Sequence, residues 1–114
     1  MIVQSGPELF LLLCFGHCLV DFPLQTDKLA VGKCPGTKVA GVPWIYWLAG
    51  HAGSHALMVA LLTQNSWLGL GEFVLHSLID IAKCKGWTNL AVDQILHLSC
   101  KALWVAMLLH SGRL

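Results

Sequence analysis

Apolar residues fill four long blocks of the chain, separated by polar or Gly/Pro-rich breaks. Ser5-Gly6-Pro7-Glu8 combines an N-cap residue, an early-turn proline and a glutamate at capping-box spacing. It predicts a first helix over about residues 7–22, which Pro23 ends. The second block follows Pro43, has no Asp, Glu, Lys or Arg from Trp44 to Thr63, and predicts a helix over about 43–63. Past the polar Gln64-Asn65-Ser66 turn a third helix is expected over about 67–83, and past Lys85-Gly86-Trp87 a fourth over about 89–110. The Leu24 to Val42 stretch, rich in Gly, Pro and Lys, reads as a loop. The pattern predicts an all-α chain.

Composition changes what surrounds those helices. Of 114 residues, 56% are hydrophobic and 11% charged, whereas a soluble domain carries roughly 25% charged. Lipid is therefore the expected solvent, and the four segments are read as a four-helix transmembrane bundle forming one membrane domain over 1–114. A net charge of +1 argues against nucleic-acid binding, which needs a basic surface. Lys28, Lys33 and Lys38 fall in the first loop and Lys83 and Lys85 in the third, both at one end of an up-down bundle. Positive-inside counting then gives an N-out, C-out topology with a Gly/Pro/Lys-rich inner loop, opposed only by Arg113. Trp44, Trp47, Trp67 and Trp87 lie near segment ends, as an aromatic belt places them. The five cysteines are scattered and read as small apolar fillers. No basic residue precedes the first apolar run and no small-residue cleavage site follows it, so the chain is expected to be unprocessed.

The ionisable residues inside the segments recur at a single spacing: His17 with Asp21, His51 with His55, His76 with Asp80, and Asp93 with His97. Each pair is i,i+4 and shares a helix face. At about 1.5 Å per residue, His17 lies about 8 Å, His76 about 10 Å, and His51 and His97 about 12 Å from the basic-loop end of their segments. Antiparallel helices would bring these levels together, in a funnel opening to the inner face. Any one such pair could be a packing bridge. Four at matching depth point to a common site, because each ionisable group in a membrane costs about 2.5–3.5 kcal/mol. Glu72 and Lys101 continue two of these faces and are expected to pair above the site.

Imidazole nitrogens and carboxylate oxygens suit a divalent transition metal, zinc first, with manganese or iron as alternatives. The candidate ligands are His17, Asp21, His51, His55, His76, Asp80, Asp93 and His97, more than one catalytic zinc uses, so either two metals bind or some members support the ligands. Asp21, Asp80 or Asp93, where free of metal, could act as general base. Gln25, Gln94 and Lys83 are the expected substrate contacts, with snorkelling to the inner interface as the alternative for Lys83.

These residues carry a resemblance. His17-x3-Asp21-Phe22-x2-Gln25-Thr26-Asp27, the His51 and His55 pair, His76-x2-Ile79-Asp80-x2-Lys83, and Asp93-Gln94-x2-His97, in that order, resemble the domain of unknown function 3307 family, small membrane proteins of bacteria and their phages. The resemblance covers most of the chain and implies a polytopic protein, in the bacterial inner membrane, with no activity to carry over. The repeated His-x3-Asp pairs are also similar in style to the metal sites of zinc-dependent phospholipase C and single-strand nuclease folds.

The leading expectation is a metal-dependent hydrolase of a phosphoester or lipid-linked substrate at the inner leaflet. Proton or metal-ion transport is the alternative, and four short helices would then need to oligomerise. A non-enzymatic membrane component whose polar pairs hold the bundle together is the third reading.

Overall fold

A computed structural model describes residues 5–114. Three of the four long helices start where a side chain takes up free backbone N–H groups, and the other follows Pro43 without a side-chain cap. Ser5 Oγ accepts from the Glu8 amide, Asn65 Oδ1 from the Trp67 and Leu68 amides, and Asn89 Oδ1 from the Val92 amide. Four long helices result: α1 (Gly6–Asp21), α3 (Trp44–Thr63), α4 (Ser66–Cys84) and α5 (Leu90–His110). Their bounds fall within one residue of those expected from the apolar blocks.

The first loop holds more order than its composition suggested. Thr26 caps a short helix, α2 (Asp27–Gly32), and a hairpin of β1 (Lys38–Val39) and β2 (Val42–Pro43) follows. Ala40 and Gly41 both take positive φ in its two-residue turn. Six residues of helix and two of strand are too short to impose a hydrophobic period, so sequence patterning misses them.

The long helices pack in a ring, α1 between α3 and α5, and α4 between the same two. The tightest pair is α3 with α4, joined through Gln64 in the left-handed region and Asn65. Gly69 lies so close to α3 that a Cβ there would stand 2.9 Å from the Ala56 carbonyl oxygen. Only a glycine permits that approach.

The interior divides into two halves. Away from the basic loops, Leu9, Leu13, Val59, Leu68, Trp104, Val105 and Leu108 make an apolar core. Toward the basic loops it is lined with His and Asp side chains. The exterior is the reverse of a water-soluble protein's: Phe15, Leu19, Leu57, Leu61, Val74, Leu78 and Ile95 all stand exposed on the long helices. Two helices, Trp44–Thr63 and Leu90–His110, are long and apolar enough to cross a membrane.

Two expectations need correction. Cys34 and Cys84, read as apolar fillers, form a disulfide that staples the first loop to the end of α4. They lie 50 residues apart and meet only because α2 folds back over the bundle end, which spacing alone does not reveal. Cys14, Cys18 and Cys100 remain free thiols. Trp47, assigned to an aromatic belt, is instead a clamp: its indole packs on Gly32 of α2 and its Nε1 donates to the Val39 carbonyl at 3.2 Å. Trp67 and Trp87 are the exposed ones, at opposite ends of α4.

Candidate metal centre

Helix geometry turns each i,i+4 pair to the bundle axis, and the ring of four helices brings the pairs together. His17, Asp21, His51, His55, His76, Asp80, Asp93 and His97 are all buried, none more than 5% exposed. Asp21 is the hub. Its Oδ1 lies 3.1 Å from His51 Nε2, 2.9 Å from His55 Nε2 and 3.8 Å from His76 Nε2, and its Oδ2 lies 3.3 Å from His17 Nε2. Asp80 is a second focus, with Oδ1 3.1 Å from His97 Nε2 and Oδ2 3.3 Å from His76 Nε2. The imidazoles stack closely, His55 on His76 with ring centres 3.8 Å apart and His76 by His97 at 4.1 Å.

Three overlapping donor sets arise: Asp21, His51, His55 and His76; His17, His76 and His97; and Asp21, Asp93 and His97. Within each, one ligand atom per residue lies within 4.8 Å of the others. Bonds of about 2.0–2.1 Å in a tetrahedron place neighbouring donors roughly 3.3 Å apart. The distances from Asp21 Oδ1 to the three imidazole nitrogens bracket that value, so the first set has the donor chemistry and the scale of a transition-metal site. His76 Nε2 is buried, faces both Asp21 and Asp80, and has no hydrogen-bond partner among the described residues. An orphaned nitrogen in such a position is what a metal ligand leaves when protein atoms alone are considered.

The remaining polar residues divide sharply. Gln94, expected to touch substrate, lies inside the network: its Oε1 is 2.9 Å from His17 Nε2, and its Nε2 donates to Asp21 at 3.0 Å and to Asp93 at 3.1 Å. Gln25 donates to the Asp21 backbone carbonyl at 3.2 Å, closing the end of α1. Lys83, also expected at the substrate, is exposed near the end of α4.

Lys33 takes the place expected of Lys83. Counted in the sequence as a loop charge, it is 8% exposed and its Nζ donates to Asp80 Oδ2 at 3.1 Å. The disulfide at the next residue, Cys34, ties this segment to Cys84, four residues past Asp80 on α4. No helical spacing signals Lys33, because it follows the last turn of α2. Trp104 could have been found: it lies three residues past Lys101 on the same face, and its Nε1 donates to Glu72 Oε2 at 2.7 Å. Glu72 Oε1 pairs with the Lys101 ammonium and lies 3.2 Å from His76 Nδ1, so His76 joins this buried ion pair to the His/Asp cluster.

Fold and site together define a helical protein with an apolar exterior and a histidine and carboxylate interior. The family model described as a protein of unknown function (DUF3307) matches residues 9–112, nearly the whole chain and every residue of the cluster, and the chain belongs to that family. No curated protein and no solved structure matches it.

Proposed function

We propose that the chain is an integral protein of the bacterial inner membrane. All four long helices cross the bilayer, N-out and C-out, and the His/Asp cluster holds a divalent transition metal, zinc first, for hydrolysis of a phosphoester or lipid-linked substrate. The observation that carries this reading is the inverted distribution of polarity: apolar side chains outside, and four converging metal-type donors, Asp21, His51, His55 and His76, inside. Four buried carboxylates, Asp21, Glu72, Asp80 and Asp93, face two buried ammonium groups, Lys33 and Lys101. With neutral imidazoles two negative charges are left over, which one divalent cation balances.

A divalent ion there would polarise a phosphoryl or carbonyl oxygen and acidify water. Asp93 is the best placed general base, because Asp21 and Asp80 are held by several donors whereas Asp93 Oδ1 has no hydrogen-bond partner among the described residues. Protein purified in mild detergent is expected to contain about one transition-metal ion per chain, and His76→Ala to lose most of it, by elemental analysis. Metal-free wild-type protein, with no change in His76→Ala, would end this reading.

Transport is the second reading, favoured by the link from the cluster through His76 to Glu72 and Lys101. The apolar core beyond Lys101 closes that path, so liposomes loaded with metal or pH dyes are expected to show no protein-dependent flux.

Orientation has its own test. Disulfides persist in oxidising compartments, yet Cys34 and Cys84 lie at the end that lysine counting places in the cytoplasm. Alkylation in growing cells, with and without prior reduction, tests the placement: free thiols there keep that end in the cytoplasm. A pair that is oxidised in the cell would reverse the topology.

A further inference from the structure

Gly50 lies in the interior of α3, where glycine weakens a helix relative to alanine. Unlike Gly69, it has no close neighbour to explain it, since a Cβ there would meet nothing within 4 Å. The space beside it is a groove of about 360 Å³ between the end of α1, α2 and the first half of α3. Val20, Leu24, Leu29 and Trp47 give it apolar walls, and His51 stands at its inner side. The same imidazole reaches the candidate metal centre, with Nε2 3.1 Å from Asp21 Oδ1 and 3.5 Å from Asp80 Oδ2. The mouth opens beside Leu24 and Tyr46, which are exposed on the apolar exterior. The groove thus runs from the surface that lipid would cover to a ligand of the polar site.

We propose that this groove receives one hydrocarbon chain of a membrane phospholipid and delivers its phosphate headgroup to the His/Asp centre, making a lipid phosphate the substrate class. The inference rests on the membrane metal-site reading above. Three features select this occupant. The volume is at the small end of ligand sites, roughly 300–1,000 Å³, and suits one slender chain. Most of the lining surface is apolar, with Thr26, Tyr46, His51 and Ser54 supplying the polar groups, so a hydrocarbon loses little by entering. The inner side meets His51, which belongs to the metal-type donor set and lies 3.5 Å from Asp80, itself paired with the Lys33 ammonium, a combination suited to an anionic headgroup. Gly50 keeps the passage open by having no side chain.

The full chain is reconstituted in phosphatidylethanolamine and phosphatidylglycerol vesicles with a trace of phosphatidylglycerol bearing a diazirine in one acyl chain. Illumination and peptide mapping should place adducts mainly on α2 and on the Trp44 to Ser54 half of α3. Gly50→Leu fills the groove and should lower that labelling about tenfold, since room for several buried methylenes is lost. Gly53→Leu, at another open position on α3 outside the groove, should leave it unchanged. Gly50→Ala, which only adds a methyl to open space, serves as the folding control. Metal content is read on the same samples and should be equal in wild type and Gly50→Leu. Labelling spread evenly over the exposed helices, or unaffected by Gly50→Leu, overturns the groove proposal whatever the metal content. Absence of metal with groove labelling intact overturns the metal centre and leaves the chain site standing.

Discussion

Lys101→Met lowers the stability of the protein by about 3–5 kcal/mol, read by denaturant or thermal unfolding in mild detergent. The ammonium is fully buried and pairs with Glu72 across α4 and α5. Methionine keeps an unbranched stem, one atom shorter, and removes the ammonium with its charge and its N–H donors. Glu72 then keeps the Trp104 indole N–H at 2.7 Å and the His76 contact at 3.2 Å but has no cation, in a region with apolar Leu9, Leu13 and Val59 nearby. An unpaired buried carboxylate is far more costly than the pair was favourable, so the double variant Glu72→Gln, Lys101→Met should recover most of the loss. Equal stability of wild type and Lys101→Met would remove the structural role of this pair.

Asp21→Asn has the largest expected effect on metal binding. Asparagine preserves the volume but removes the charge, and offers one carbonyl oxygen where Asp21 now meets His51, His55, His17 and Gln94 with two. Loss of a supporting group alone weakens metal affinity about 10–100-fold, and loss of a ligand at the hub should reach at least the upper end of that range. Titration of metal-stripped protein against a competing chelator measures it. Lys83→Ala is the matched control, expected to be silent because that side chain is exposed and outside the cluster. Undiminished affinity in Asp21→Asn would take Asp21 out of the ligand set.

Much of the cluster was legible because it depends on local geometry. An i,i+4 pair shares a helix face wherever the helix goes, and short loops force neighbouring long helices to run antiparallel. Those two facts suffice to place His51, His76 and His97, on the three helices joined by short turns, at one level. The Glu72 and Lys101 pair followed from the same periodicity. Lys33, by contrast, sits just past a six-residue helix, and nothing in its neighbours distinguishes it from Lys28 or Lys38. Counting it as a loop charge hid a buried partner of Asp80. Cys34 and Cys84 were opaque for a related reason: their meeting depends on how a loop folds back, not on a repeat. Gln94 was recognisable as part of a motif, but only the three-dimensional arrangement shows it bridging His17, Asp21 and Asp93.

The close α3–α4 pairing also bears on how such a chain could enter a bilayer. Helix α4 carries Glu72, Asp80 and Lys83 and is not among the helices apolar enough to cross unaided, whereas α3 has no formally charged residue. The tight turn at Gln64 and Asn65 and the contact of Gly69 with α3 allow the two to partition as one hairpin, in which α3 supplies the apolar drive. Biogenesis would then proceed in pairs of helices, with His76 and Asp80 of α4 already facing His51 and His55 of α3 when they leave water.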